Sequence, residues 1–375
     1  MNDIAIVMGI GIDKVGDEYL LSTQIVNPSQ VAQRGSGGMP MSSVTTYSTK
    51  GKSLLEGIRR LTKLTPRKLY FAHIRVLAID EHLAKDGLQD VLDFFMRQQE
   101  IRTDFYVIIT KNVNAFNVMS IYDPLEKIPA NRLQKGLETS ENNWAPTVSV
   151  ALDELLSDLV SEGKEPVLTG LEIKGDIEAG NSQDNINRVK SKALLRYNAI
   201  GVLKNDKLIG WLTEAESKGY SYITNRVDST VEEIRCNKNG YVMIDIIRNE
   251  TNVKGKVTKG HPEVEIEIKA EANIGEVDCK IDLSDTKSIY ELESKIERQI
   301  KERIEKLVKR VQRQYKSDIF GFGSAIQRSA PKEWNTLKHN WDREFTQTQV
   351  RIKADVRIRR TGKVGNSFIQ NLEQR

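Results

Sequence analysis

The chain has 375 residues, enough for two or three domains, and its 39% hydrophobic and 29% charged content are those of an ordinary globular protein. Lys plus Arg number 56 against 52 for Asp plus Glu, a net charge of +4, and the charges are interspersed, which argues against nucleic acid as a partner. Four His and two Cys leave little material for metal sites, and the longest apolar run, Ile4 to Ile12, is short of the ~20 residues a membrane span needs.

Ile4 to Ile12 reads as a buried strand and Tyr19 to Val26 as its hairpin partner. Gly9-Ile10-Gly11-Ile12-Asp13 lacks the third glycine of a dinucleotide fingerprint, since Lys14 stands there, and no helix pattern follows. Pro28 to Ser43, rich in Gly, Ser, Gln and Met, reads as a mobile loop. A strand at Val44 to Ser48 leads to a helix from Lys52 to Leu64 with Leu54, Leu55, Ile58 and Leu61 inward. Leu69 to Ile79 reads as one strand, His82 to Arg97 as one helix with Val91, Leu92 and Phe95 in the core, and Arg102 to Thr110 as a strand. That alternation points to an α/β domain with a mixed sheet. His73 on a strand and His82 near a helix start have no third ligand beside them and read as structural histidines.

Helices are expected at Asn112 to Ile121, Pro129 to Glu141 and Val150 to Val160. Three strands follow, Val167 to Ile173, Ala193 to Leu203 and Lys207 to Leu212. The polar stretch from Gly175 to Asn187 reads as a disordered hairpin tip. Glu214 and Glu216 follow Trp211 and bring to mind the paired carboxylates of sugar hydrolases, but residues two apart on a helical turn do not converge, and a solvated face is the better reading.

From Tyr220 onward the pattern becomes antiparallel: Val231 to Cys236, Tyr241 to Ile247 after an Asn239-Gly240 turn, Val264 to Ile274, and finally Val350 to Ile358. On the third of these, Glu263, Glu265, Glu267, Lys269 and Glu271 share one face in a line, a solvated sheet face rather than a wrapped calcium site. Cys236 and Cys279 have no CxxC spacing; they are two buried thiols or one bridge, with free thiols expected.

Between the last two strands stands the stretch with the most distinctive residues. Ile289, Leu292, Ile296, Ile300, Ile304, Leu307, Val308 and Val311 place an apolar stripe on one long helix. Its other faces are basic, and Glu297 with Lys301, Glu302 with Lys306 and Glu305 with Lys309 are expected to pair. That face is expected to be solvated, in preference to seating on anionic lipid. Asp318 is placed to cap a second helix containing Gly321 and Gly323, with Ile319, Phe322 and Ile326 on one face and Phe320 off it, free for a partner. Two glycines in a helix call for a close backbone approach, expected at Gly321. Pro331 opens a third helix whose stripe is Trp334, Leu337, Trp341 and Phe345. These strands and helices add up to an α+β, multi-domain protein. It has mixed sheets with helices and a C-terminal antiparallel sheet covered by the long amphipathic helix. The expected domains are 1–118, 119–219 and 220–375.

Lys316-Ser317-Asp318-Ile319-Phe320-Gly321-Phe322-Gly323, with Pro331-Lys332-Glu333-Trp334 and Asn340-Trp341, resembles the C-terminal domain of the Ger(x)C family. The opening Ile4 to Asp13, Phe71 to Leu77 and Gly201 to Leu212 resemble the same family. The resemblance implies a non-enzymatic lipoprotein, the C subunit of a nutrient germinant receptor in a spore-former, working beside integral-membrane A and B subunits on the outer face of the spore inner membrane. It also implies a signal peptide and lipid-modified Cys upstream, so Met1 is expected to be an artificial start. No catalytic, cofactor or metal residues are expected. Asp318, Phe320, Gly321, Phe322, Gly323, Trp334 and Trp341 stand as partner-contact or structural-motif residues. The alternatives are a nutrient-binding module for an amino acid or sugar, and an envelope-acting hydrolase.

Overall fold

The computed structural model describes residues 4–28, 42–236 and 240–361. Most of the expected loop from Pro28 to Ser43, and Asn239 of the expected turn, lie outside the described residues. The chain divides into two compact units. One comprises the chain up to Glu138 with Ser149–Val160 and Pro166–Trp211; the other comprises Thr139–Val148, Ser161–Glu165 and the chain from Leu212 onward.

The first unit opens with β1 (Ile4–Val15), β2 (Glu18–Val26) and β3 (Val44–Gly51), then α1 (Leu54–Leu61) and the short β4 (Lys68–Tyr70). β5 (Val76–Asp80), α2 (Glu81–Asp86), α3 (Gln89–Arg97), β6 (Tyr106–Thr110) and α4 (Ala115–Ser120) follow. Next come α5 (Pro129–Trp144), which continues into the second unit, and α6 (Leu152–Leu159). β7 (Val167–Gly175), α7 (Ile177–Gly180), β8 (Ala193–Lys204) and β9 (Lys207–Trp211) complete the unit. One sheet runs β3-β2-β1-β5-β6-β7-β8-β9, with β4 beside the start of β1. Its centre, β1-β5-β6-β7, is parallel, and its flanks are antiparallel. All five residues of β5 are buried, as expected of a parallel strand covered on both faces. On one face Val76, Ala78, Ile108 and Leu171 form a core with Val118 and Met119 of α4 and Leu133 and Leu137 of α5. The glycines of β1 serve this packing: a Cβ on Gly11 would stand 3.0 Å from Ala115 O, and one on Gly9 2.9 Å from Met119 Sδ.

Several expectations change here. The strand expected from Leu69 to Ile79 is two strands, and the helix from His82 to Arg97 is two helices parted at Gly87. His73 is exposed, outside both strands. Leu55 is 47% exposed, and Leu54, Gly57 and Leu61 form the inward stripe of α1 instead. The stretch from Gly175 to Asn187 is ordered around fully buried Asn185. Its amide donates to Tyr122 O and Ala193 O and accepts from Ala193 N, all within 3.0 Å.

The second unit holds α8 (Glu214–Ile223) and a four-stranded sheet in the order β10 (Thr230–Arg235), β11 (Tyr241–Thr258), β12 (His261–Val277) and β13 (Gln349–Arg360). β10, β11 and β12 are antiparallel, but β13 runs parallel to β12. A parallel neighbour requires a crossover. That crossover is the helical run α9 (Thr286–Arg310), a π turn (Val311–Tyr315), α10 (Phe322–Ser329), α11 (Pro331–Leu337) and α12 (Trp341–Gln347). α9 lies along β13 and α8, while α8, α10 and α12 pack on β11 and β12, so several helices share the cover of the sheet. Two glutamates of α9 cap the free edge of β13: Glu297 accepts from Val356 N at 3.1 Å and Glu293 from Ile358 N at 2.8 Å. Glu297 is therefore turned away from Lys301, which lies 4.0 Å from Glu305 instead. Cys236 and Cys279 are joined in a disulfide, correcting the free-thiol expectation. Ends of β10 and β12 that flank the start of β11 bring the two sulfurs together.

On the outer sheet face, registered rows alternate in sign. Lys254 and Arg351 flank Glu265, Glu250 and Asp355 flank Lys269, and Arg248 and Arg357 flank Glu271. Lys256 reaches Glu263 at 3.0 Å, Lys254 reaches Glu267 at 3.1 Å and Arg359 reaches Glu271 at 2.8 Å. The glutamate line is thus an ion-paired face.

Candidate functional site: a buried hub at Asp318

All seven residues singled out in the sequence meet inside the second unit. The π turn ends α9, and Lys316 adopts a left-handed conformation with φ +51°. Gln312, inside that turn, donates to Phe345 O and Thr348 O at 2.9 Å, tying the end of α9 to the end of α12. Asp318 is 2% exposed. Its carboxylate accepts from Phe322 N at 3.2 Å, Gly323 N at 2.8 Å and Trp341 Nε1 at 3.0 Å. It therefore caps α10 from three residues before Gly321, which holds the N-cap position at φ +74°. Burial pushes this carboxyl up to about 6, against the pull of the N–H groups it accepts from.

The close backbone approach lies at Gly323 rather than Gly321. A Cβ on Gly323 would meet Gly163 Cα at 2.7 Å, the Trp334 ring at 2.7 Å and Trp341 Nε1 at 2.8 Å, whereas one on Gly321 would make ordinary contact with the Lys164 side chain. Ser324 N donates to Gly163 O at 3.0 Å, and Glu165 N to Asp318 O at 2.8 Å, closing the short segment 161–165 over the hub. The rings of Phe320 and Phe322 stack at 5.0 Å, Trp334 and Trp341 meet edge to face at 5.1 Å, and Phe345 lies within 6.5 Å of Phe320, Phe322 and Trp341. Phe320 is 6% exposed, so it is a core ring and not a residue held out to a partner.

Several buried charges escaped the sequence reading, and three of them stand out. Glu232, 1% exposed, receives Arg303 through both guanidinium arms at 2.5 and 2.6 Å, Gln299 at 3.0 Å and the Tyr222 hydroxyl at 3.3 Å. Burial works against the charge on Arg303, but the Glu232 carboxylate outweighs it and holds the guanidinium pKa above its ordinary value. Lys218 lies 3.3 Å above the Trp144 ring, and burial lowers its pKa. Glu293 is the third, at the β13 edge. For Glu232 the signal was the period of β10, where Thr230, Glu232 and Ile234 are buried in alternation.

The carboxylates that invited a hydrolase reading are otherwise engaged. Glu214 accepts from Trp144 Nε1 at 2.8 Å, while Glu216 completes a capping box with Thr213 and pairs with Arg310. In the first unit, Asp13 is the other strongly perturbed carboxyl. Burial raises it to about 6 while it accepts from Ala115 N at 2.6 Å and Phe116 N at 2.9 Å. Among the described residues no group of three or more His, Cys, Asp or Glu could hold a metal ion, and no helix is long and apolar enough to cross a membrane.

A mixed-sheet unit and a smaller sheet unit closed by a helical hub define a two-unit α+β protein whose most distinctive residues are buried together in the second unit. The family described as "Spore germination protein N-terminal domain" matches residues 1–173, and that described as "Spore germination B3/ GerAC like, C-terminal" matches residues 198–362. Spore germination protein KC of Bacillus subtilis (strain 168) is 31% identical over 369 residues, covering 96% of this chain and 90% of that protein. Spore germination protein B3 of the same organism is 24% identical over 374 residues, covering 97% of this chain and 93% of that protein. The crystal structure of the GerBC protein shares the fold at a TM-score of 0.58 and 19% identity, over 94% of this chain and 97% of that one. The chain belongs to the Ger(x)C, or GerAC-like, family, and its general role is in spore germination.

Proposed function

We propose that the chain is the C subunit of a nutrient germinant receptor: a non-enzymatic lipoprotein that acts as scaffold or coupling element beside integral-membrane A and B subunits. It would be held by a lipid anchor on the outer surface of the spore inner membrane. The observation that carries this reading is the use to which the signature residues are put. Asp318, Gly323, Trp334 and Trp341 are buried against one another, and Asp318 gives its acceptor capacity to two backbone N–H groups and an indole. A motif so arranged builds a rigid body, not a reactive centre. The Cys236–Cys279 disulfide supports an extracytoplasmic location, where such bridges persist.

The test is co-purification. An affinity-tagged chain bearing its natural leader, solubilised from spore membranes in mild detergent, is expected to bring down both integral-membrane subunits, and deletion of its gene is expected to abolish the response to the cognate nutrient. Recovery of the chain alone, together with an unchanged nutrient response in the deletion strain, would overturn the proposal. The nutrient-module reading finds its own support in a cleft of the first unit.

A further inference from the structure

A cleft of about 400 Å³ in the first unit lies between α1 and the turn that follows α3, over β4. Its floor is Leu69, Phe71 and Ile101, all buried. One wall is the second stripe of α1, where Leu55, Ile58, Arg59 and Thr62 recur at helical spacing. That stripe has no core to enter, because Leu54, Gly57 and Leu61 already occupy the inward face. Leu55 accordingly stands 47% exposed.

The rim is cationic. Arg59, Lys68 and Arg97 line it against one carboxylate, Glu100. Lys68 pairs with Glu100 at 3.2 Å and Arg97 with Asp93 at 2.7 Å, both pairs being largely solvated and readily exchanged. Arg59 has no side-chain hydrogen bond or ion pair among the described residues. The cleft is of a size that small-molecule sites commonly have. A guanidinium beside an apolar floor is suited to one ligand chemistry, a carboxylate received by the planar fork with a hydrocarbon chain lying beneath it.

We propose that this cleft binds a small apolar carboxylate, its carboxylate on Arg59 and its aliphatic chain against Leu55, Ile58 and the floor. The inference rests on the cleft alone and stands whether or not the chain is a coupling subunit. Two sources share the chemistry, an aliphatic α-amino acid and a simple aliphatic acid. Only the amino acid would use Glu100, as acceptor for its ammonium group.

Calorimetric titration of the full chain with leucine, 4-methylpentanoate and the uncharged 4-methylpentanamide tests this. Saturable binding of at least one acid, none of the amide, and a loss of about tenfold or more in both Arg59→Gln and Leu55→Asp are expected. Both positions are exposed, so their melting temperatures should stay at the parent value. Tighter binding of leucine than of 4-methylpentanoate, weakened by Glu100→Gln, would support the amino-acid form of the site. Equal or better binding of the simple acid, insensitive to that change, would support the other form. Absence of saturable heat with both acids at millimolar concentration, or binding that survives both Arg59→Gln and Leu55→Asp, would overturn the proposal.

Discussion

Asp318 serves three donors from a carboxylate that solvent does not reach. Asp318→Ala would leave Phe322 N, Gly323 N and Trp341 Nε1 buried without an acceptor, a loss of about 3 kcal/mol after the relief of a buried charge. A shift in the urea midpoint measures it. The same burial gives the protein an unusual pH response. Asp13 and Asp318 sit near 6 in the folded chain against 3.8 in the unfolded one, so between these values the folded state holds protons that the unfolded state has released. Stability therefore falls as pH rises from about 4 to about 6, by up to about 3 kcal/mol for each group. The urea midpoint should be lower at pH 6.5 than at pH 4.5, and a higher one would show that the paired carboxylates dominate instead. The glycines make a second contrast. Gly323→Ala pushes a methyl into the Gly163 backbone and two indoles and should cost about 3 kcal/mol, whereas Gly321→Ala meets only the strain of its positive φ, about 1 kcal/mol. Asp318 was readable as a cap because Asp before an apolar run has few other uses. Which glycine needed to be bare was not, because Gly163 is 160 residues away in sequence and no local pattern links it to Gly323.

At the scale of elements, periodicity carried the reading wherever one face met one core. The stripe of α9 and the alternation of β12 both appear as expected, with Leu292, Ile296, Ile300 and Ile304 buried on the first and Val264, Ile266 and Ile268 on the second. It failed where a pattern served two purposes: α1 carries two apolar stripes, and only packing decides which turns inward. The direction of β13 was equally hidden, since alternation is the same for a parallel and an antiparallel strand. That strand leaves an edge whose donors are stopped by Glu293 and Glu297. Replacing both glutamates by Ala should cost about 2 kcal/mol and expose an edge able to pair with another molecule, so light scattering should show concentration-dependent association that the parent lacks. The disulfide closes a loop of 43 residues. Its removal in a Cys236→Ser, Cys279→Ser variant should lower stability by up to about 4 kcal/mol, and reductant should lower the parent's urea midpoint in the same direction while leaving the variant unchanged.

At the scale of the molecule, the family descriptions part the chain between residues 173 and 198, while the compact units interleave along it. The second unit takes in Thr139–Val148 and Ser161–Glu165, well before the C-terminal family match begins. Those short segments do structural work. Gly163 O accepts from Ser324 N, Glu165 N donates to Asp318 O, and Trp144 O and Ala145 O accept from the hydroxyls of Thr230 and Ser221. Glu141 pairs with Arg226, and Trp144 lies under the Lys218 ammonium. A fragment of residues 198–361 keeps every strand of the smaller sheet and the whole of α9, so its secondary structure should persist. It loses the backbone that closes the hub, and with it the environment that fixes Trp334 and Trp341. Such a fragment is expected to retain far-UV circular dichroism, lose near-UV tryptophan signals and bind a hydrophobic dye. A longer fragment, residues 139–361, restores both missing segments and should recover the near-UV signal. Native tryptophan dichroism in the shorter fragment would mean that the hub closes without Gly163, and that the sheet and helices from Leu212 onward fold without the two earlier segments.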